Sequence, residues 1–184
     1  DWAVRQNCFP AFWGRPISGE HAISNEEIKF LAERDCGVLL IFDDLTLVGV
    51  AKSDGTADAE RAVAAAKKLG VCDDGKTAIF AEIKDNMYVN HNWMLSFAST
   101  LKANGFIAGF IGNTDSSENF NFDSEFSHFI VAGGNALCFA TRPVTTEHVY
   151  NWTPYSPSAL PVEKMAFWQN GKKEFNGLEY NTVY

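Results

Sequence analysis

The sequence predicts an α/β fold: a short β/α barrel of the TIM type, incomplete, with about seven strands. Two observations predict it. Apolar runs of strand length begin near residues 38, 77, 106 and 137. Between them lie segments with helical periodicity, several closed by glycine, the alternation that builds parallel sheets. A third observation weighs against a nucleotide-binding doubly wound sheet: no Gly-x-Gly-x-x-Gly or Walker A sequence follows any strand. By pattern alone a doubly wound sheet and a barrel both fit.

The elements follow in order. Residues 11–18 read as a strand. Ser24 with Glu27 three residues on is a capping box, and Ile23 before it is placed as a staple. Ile28, Leu31 and Ala32 give the helix that follows one apolar face. Val38–Phe42 is a strand ending in Asp43-Asp44. Residues 57–69 form an alanine-rich helix stopped by Gly70, and Thr77–Lys84 is the next strand. Val89–Asn104 is a helix carrying Trp93, Phe97 and Leu101 at four-residue spacing, and Phe106–Ile111 is a strand after Gly105. A helix over 123–132 ends at Gly133-Gly134, and Ala136–Thr141 is a strand. The stretch 143–161, with Pro143, Pro154, Pro157 and Pro161, is loop, and strands are expected at 164–169 and 178–183. The 184 residues are read as one domain.

Composition excludes several classes. A net charge of −8 with no basic stretch disfavours a nucleic-acid partner. No apolar run approaches the ~20 residues that span a bilayer, so no membrane partner is expected. Cysteines 8, 36, 72 and 138 show no C-x-x-C spacing; two disulfides are permitted, but buried thiols fit the low cysteine density better. His21, His91, His128 and His148 show no metal-ligand spacing, so neither a metal nor another cofactor is expected. No leader sequence is visible at the start of the chain, which leaves the compartment open.

Function in parallel sheets gathers at the carboxyl ends of the strands. That rule selects Asp43 and Asp44, then Glu82, Lys84 and Asp85, then Asn113 and Asp115, with Trp168, Gln169 and Glu179 near the last strands. Carboxylates, an amide and aromatics on one rim suit a sugar, and glycoside hydrolysis needs two carboxyl groups across the scissile bond. Acids at strand ends also cap helices or face water. Strand alternation puts Phe80, Glu82 and Lys84 on one face and Ile79, Ala81 and Ile83 on the other. The apolar trio suits the helix layer, so Glu82 and Lys84 are expected to point into the barrel, in one pocket with Asp43 and an aromatic such as Trp168.

Phe12-Trp13-Gly14-Arg15, Ser24-Asn25-Glu26-Glu27-Ile28, Asp58-Ala59, Leu69-Gly70-Val71, Thr77–Ile83 and Gly105–Gly112 follow one another in the order of a known pattern. With Phe167-Trp168-Gln169 and Gly177-Leu178-Glu179-Tyr180-Asn181, the chain resembles the DUF1906 glycoside-hydrolase-like family, a group related to the GH25 lysozyme-type barrels. The resemblance implies a β/α barrel, a secreted or cell-envelope setting, and a site for a peptidoglycan-type or other glycan. Together with the strand-end rule it gives Glu82, Asp43 and Glu179 as the acids, with Lys84, Arg15, Asp85, Asn113, Trp168 and Gln169 as substrate contacts. The GH25-like strand motif is Asp-x-Glu, and its positions here hold Glu82 and Lys84. An ammonium group is too weak an acid to protonate a glycosidic oxygen near neutral pH. Three readings therefore stand: a hydrolase, a barrel of that lineage that has lost catalysis and binds a glycan or a protein, and an unrelated enzyme using Lys84 as a nucleophilic amine. An open barrel exposes strand edges, so the expected state is monomer or homodimer.

Overall fold

The computed structural model of the chain describes residues 10–119, 121–144, 153–175 and 178–183, with side chains described through Gln169. In chain order the elements are β1 (Phe12–Pro16), α1 (Asn25–Ala32), β2 (Gly37–Phe42), α2 (Leu47–Val50), α3 (Thr56–Lys68), β3 (Ala78–Glu82), α4 (His91–Ala103), β4 (Ile107–Gly112), α5 (Phe122–Val131), β5 (Leu137–Ala140), β6 (Phe167–Phe175) and β7 (Leu178–Val183). A single 3-10 turn, Val162–Lys164, precedes β6.

The strands lie side by side in chain order. A doubly wound sheet reverses its order part-way, so this arrangement is the barrel alternative. It corrects the expected strand count: β1 to β6, six strands, run parallel, and β7 turns back antiparallel against β6. The sheet is curled into part of a barrel. Five strand spacings of about 4.8 Å would hold β1 and β6 some 24 Å apart in a flat sheet. Instead the rings of Phe12 on β1 and Phe167 on β6 stand 5.2 Å apart. Phe80, Phe139 and Phe167 complete this inner aromatic cluster, with ring separations of 5.5–6.2 Å.

The inner cluster explains why Gly109 follows Phe80 in register. A Cβ at 109 would stand 2.4 Å from the Phe80 ring, which Phe139 and Phe167 already confine. Gly109→Ala is therefore expected to cost about 1–3 kcal/mol through overpacking, measured by urea unfolding.

The larger core lies on the other face, between sheet and helices. Leu40, Phe42, Ile79, Ala81, Ala108, Phe110 and Cys138 meet Trp93, Met94, Phe97, Phe126 and Phe129 there. Three of the helix ends have a local cause in the chain. Ser24 accepts from the Glu27 amide at the start of α1, and Thr46 from the Gly49 amide at the start of α2. Gly105, at φ +79°, ends α4 in a conformation that side-chain-bearing residues avoid. Cys36 and Cys138 are buried free thiols, each pushed up in pKa by burial, and Cys72 is an exposed one; Cys8 lies outside the described residues.

Candidate functional site

Register and alternation set the site. Phe80 belongs to the inner cluster, so Glu82, two residues on, shares its face. Glu82 pairs laterally with Ile111, which pairs with Phe139, which pairs with Phe167. On the other side Phe42 is paired with Ala81, so one further step along β2 brings Asp43 beside Glu82. The carboxyl of Glu82 thus sits at the carboxyl end of the sheet with apolar side chains below and across from it. Burial raises its pKa above the ordinary carboxylate value. The Lys84 ammonium pulls in the opposite direction, and the Asp43 carboxylate adds to the rise. Glu82, Lys84 and Asp43 are therefore one electrostatic group. Asp43 is half-buried and Lys84 exposed.

The next layer of the mouth is polar. Asn113 is 1% exposed; its Nδ2 donates to Glu118 Oε2 (2.9 Å), and its Oδ1 accepts from the Asp115 amide (2.9 Å). Asp115 accepts from the Ser117 hydroxyl and amide, which lowers its pKa. Asp85 pairs with Arg142 at 2.9 Å. Beside Asn113 the hydroxyl of Thr141 is buried without a protein partner, as are those of Thr114 and Ser18, also just past strand ends. A cleft of about 340 Å³ opens among Thr114, Asp115, Ser116, Pro154, Tyr155 and Ser156, between the loops that follow β4 and β5.

Some expected residues stand elsewhere. Arg15 faces the helix layer, where Glu27 of α1 takes its guanidinium in a two-pronged pair (2.7 and 3.2 Å). Phe167 points into the inner cluster, which turns Trp168 to the opposite face; its indole Nε1 donates to the Pro143 carbonyl (3.0 Å). Gln169 shares the parity of Phe167 and is half-buried. Asp44 is bound by Arg61, which also pairs with Asp58. Glu179 lies on β7 opposite Glu174, and its side chain is outside the described residues.

Sequence reasoning missed Arg142, which follows β5 and ties the β3–α4 loop, through Asp85, to Glu118 of the β4–α5 loop (4.0 Å). The strand-end rule, applied to β5, selects it. Also missed were Tyr88 and Tyr155, 62% and 47% exposed on loops at this end of the sheet. The four histidines show no metal-ligand spacing among themselves, yet the fold brings His91 of α4 against Glu125 and His128 of α5, donor atoms within 4.8 Å of one another. The signal available was Glu125-x-x-His128, one helical turn apart.

No protein-family model matches the sequence, and no curated protein is significantly similar to it. Solved structures of the same fold do exist. An uncharacterized B. stearothermophilus protein superposes with a TM-score of 0.79 at 21% identity, covering 99% of this chain and 87% of its own. The likeness is one of fold. The Mycobacterium tuberculosis Tat-secreted protein Rv2525c, solved in complex with HEPES, superposes with a TM-score of 0.63 at 14% identity, with the same coverages of 99% and 87%. Among the described residues no helix is long and apolar enough to cross a membrane.

Proposed function

We propose that residues 1–184 are a single glycoside-hydrolase-like barrel domain that takes a glycan at its mouth, with Glu82 as proton donor and Asp43 as the second carboxylate. One observation carries the reading. Glu82 is a carboxyl group over an apolar floor whose pKa burial raises, with the Lys84 ammonium opposing the rise and the Asp43 carboxylate reinforcing it. A general acid must keep its proton at the pH where it acts, and burial beside a like charge is how proteins arrange that. Glu179 remains proposed as a third acid.

The surroundings support a sugar as the ligand. Lys84 and Gln169 are offered as polar contacts, Asn113 and Asp85 hold the rim through Glu118 and Arg142, and Tyr155 offers an exposed ring beside a polar cleft. Sugars need that combination of ring face and hydrogen bonds. Arg15 and Trp168 are left out of the proposed site because each is engaged on the outer side of the sheet. HEPES in the Rv2525c structure is consistent with small-molecule binding by this fold, and the Tat secretion of that protein favours a secreted or cell-envelope setting here.

A second reading, glycan binding without turnover, is favoured by Lys84, an exposed ammonium where a second acid would complete the motif. The amine-enzyme reading loses support, since Lys84 lacks the buried pocket that a nucleophilic lysine calls for.

Reducing-end release from peptidoglycan and from a panel of soluble glycans, together with glycan-array binding, tests both. Turnover that disappears in Glu82→Gln supports the hydrolase. Binding with no turnover supports the second reading. Neither binding nor turnover removes the glycan proposal altogether.

A further inference from the structure

On the helix layer, where α4 and α5 begin past the carboxyl ends of β3 and β4, two helices bring together a set of donors that the glycan reading does not use. His91 is the first residue of α4. Its backbone amide donates to Glu125 Oε2 (2.8 Å), and its ring Nδ1 lies 2.8 Å from the same oxygen. From the other side His128 Nδ1 lies 3.4 Å from Glu125 Oε1. The two imidazole rings face each other at 5.5 Å with an interplanar angle of 67°.

From these residues we infer a binding site for a divalent transition-metal ion of the zinc type, held by His91, Glu125 and His128. Three features carry the inference. The chemistry is that of zinc: two neutral imidazoles and a carboxylate select Zn²⁺ or a neighbouring transition ion over Mg²⁺ and Ca²⁺, which take oxygen ligands.

The spacing is the second feature. Bonds of about 2.0–2.1 Å in a tetrahedron place neighbouring ligand atoms about 3.3 Å apart. The two nitrogen–oxygen separations, 2.8 Å to Oε2 and 3.4 Å to Oε1, lie close to that value, and one donor atom from each residue falls within 4.8 Å of the others.

The third feature is a fixed scaffold. Asn121, just before α5, accepts from the Val89 amide (3.1 Å) and donates to the Val89 carbonyl (2.7 Å). With the His91 amide bond, three contacts pin the start of α4 to the start of α5 and hold the donors in place before any ion arrives. The His128 side chain is 62% exposed, so the fourth position opens to water. Binding substitutes the ion for the proton between His91 Nδ1 and Glu125 and joins α4 to α5 through a shared ion.

Isothermal titration of the tag-free full chain with ZnCl₂ is the test, repeated on His128→Ala and Glu125→Gln. Thermal melts of the metal-free proteins run alongside. One stoichiometric site is expected, weakened at least ~10-fold in each variant, since second-shell changes alone bring 10–100-fold losses and these remove ligands. The metal-free melt of His128→Ala should match that of the wild type, because the side chain is exposed. Co²⁺ in place of Zn²⁺ should give the visible absorption of a tetrahedral site, lost in both variants. Absence of a stoichiometric site overturns the inference. So does zinc binding that survives both variants, or that depends on the exposed Cys72 instead.

Discussion

Phe110→Ala is expected to cost about 3–5 kcal/mol, the range for deleting a fully buried phenylalanine ring. Phe110 is wholly buried on the helix side of β4. Its ring is the hub where sheet and helices meet: Trp93 and Phe97 of α4 stand 6.3 and 5.8 Å away, Phe126 and Phe129 of α5 6.2 and 5.6 Å. Those rings belong to helices fixed by their own contacts. The Trp93 indole donates to Asp58 of α3 (2.8 Å), and the His91 amide to Glu125. The cavity can therefore close only in part, and a cavity that stays open carries the larger penalty. For a chain of this length each kcal/mol lowers the melting temperature by about 2–4 °C. Val131→Ala, at a position 80% exposed on α5, is the control and should move stability by no more than about 0.5 kcal/mol. Calorimetry on the two variants checks both. Equal effects would mean that the helices do not pack on Phe110 as described.

Local signals made most of the fold legible. Ser24 and Glu27 placed the start of α1, and the Val38–Phe42 run placed β2. Glycines 70 and 105 marked helix ends where φ is positive. The inward turn of Glu82 was read from the end of the strand, where Glu82-Ile83-Lys84 alternates, since Ala78-Ile79-Phe80-Ala81 before it is all apolar. The start of β6 shows no such alternation: Phe167 and Trp168 follow Met165 and Ala166 and all four are apolar, so nothing in the sequence tells which ring turns inward. The structure turns Phe167 in and Trp168 out. β1 has the same ambiguity, and the inward place went to Phe12 while Arg15 went to Glu27. The four residues of α2 are too few for periodicity to register. His91 and Glu125 are 34 positions apart, and their meeting depends on how two helices pack, which local pattern does not encode.

Glu82→Gln should raise stability at neutral pH while sharply lowering any turnover. The native pKa of Glu82 lies above its ordinary value, chiefly through burial; Lys84 opposes the rise and Asp43 reinforces it. Below the unfolded-state value of about 4.3, both states hold the proton and the group contributes nothing to the pH dependence. As pH rises past that value the unfolded chain ionises first. The native state then binds the extra proton, so stability falls until the native pKa has been passed. Glutamine keeps the shape and takes no charge. The variant's melting temperature should therefore match the wild type near pH 4 and exceed it near pH 7, by about 2–4 °C if the relief is roughly 1 kcal/mol. Lys84→Met should widen the wild-type loss, because it removes a neighbour that favours the ionised form. If the barrel is a hydrolase, turnover should fall in Glu82→Gln by about 10²–10⁴-fold, the usual contribution of a general acid. A residue that weakens the fold in its charged form yet is needed for reaction is behaving as a site acid. A glutamine variant less stable than wild type at pH 7 would mean instead that the Glu82 carboxylate is a satisfied structural group, and the proton-donor role would fall with it.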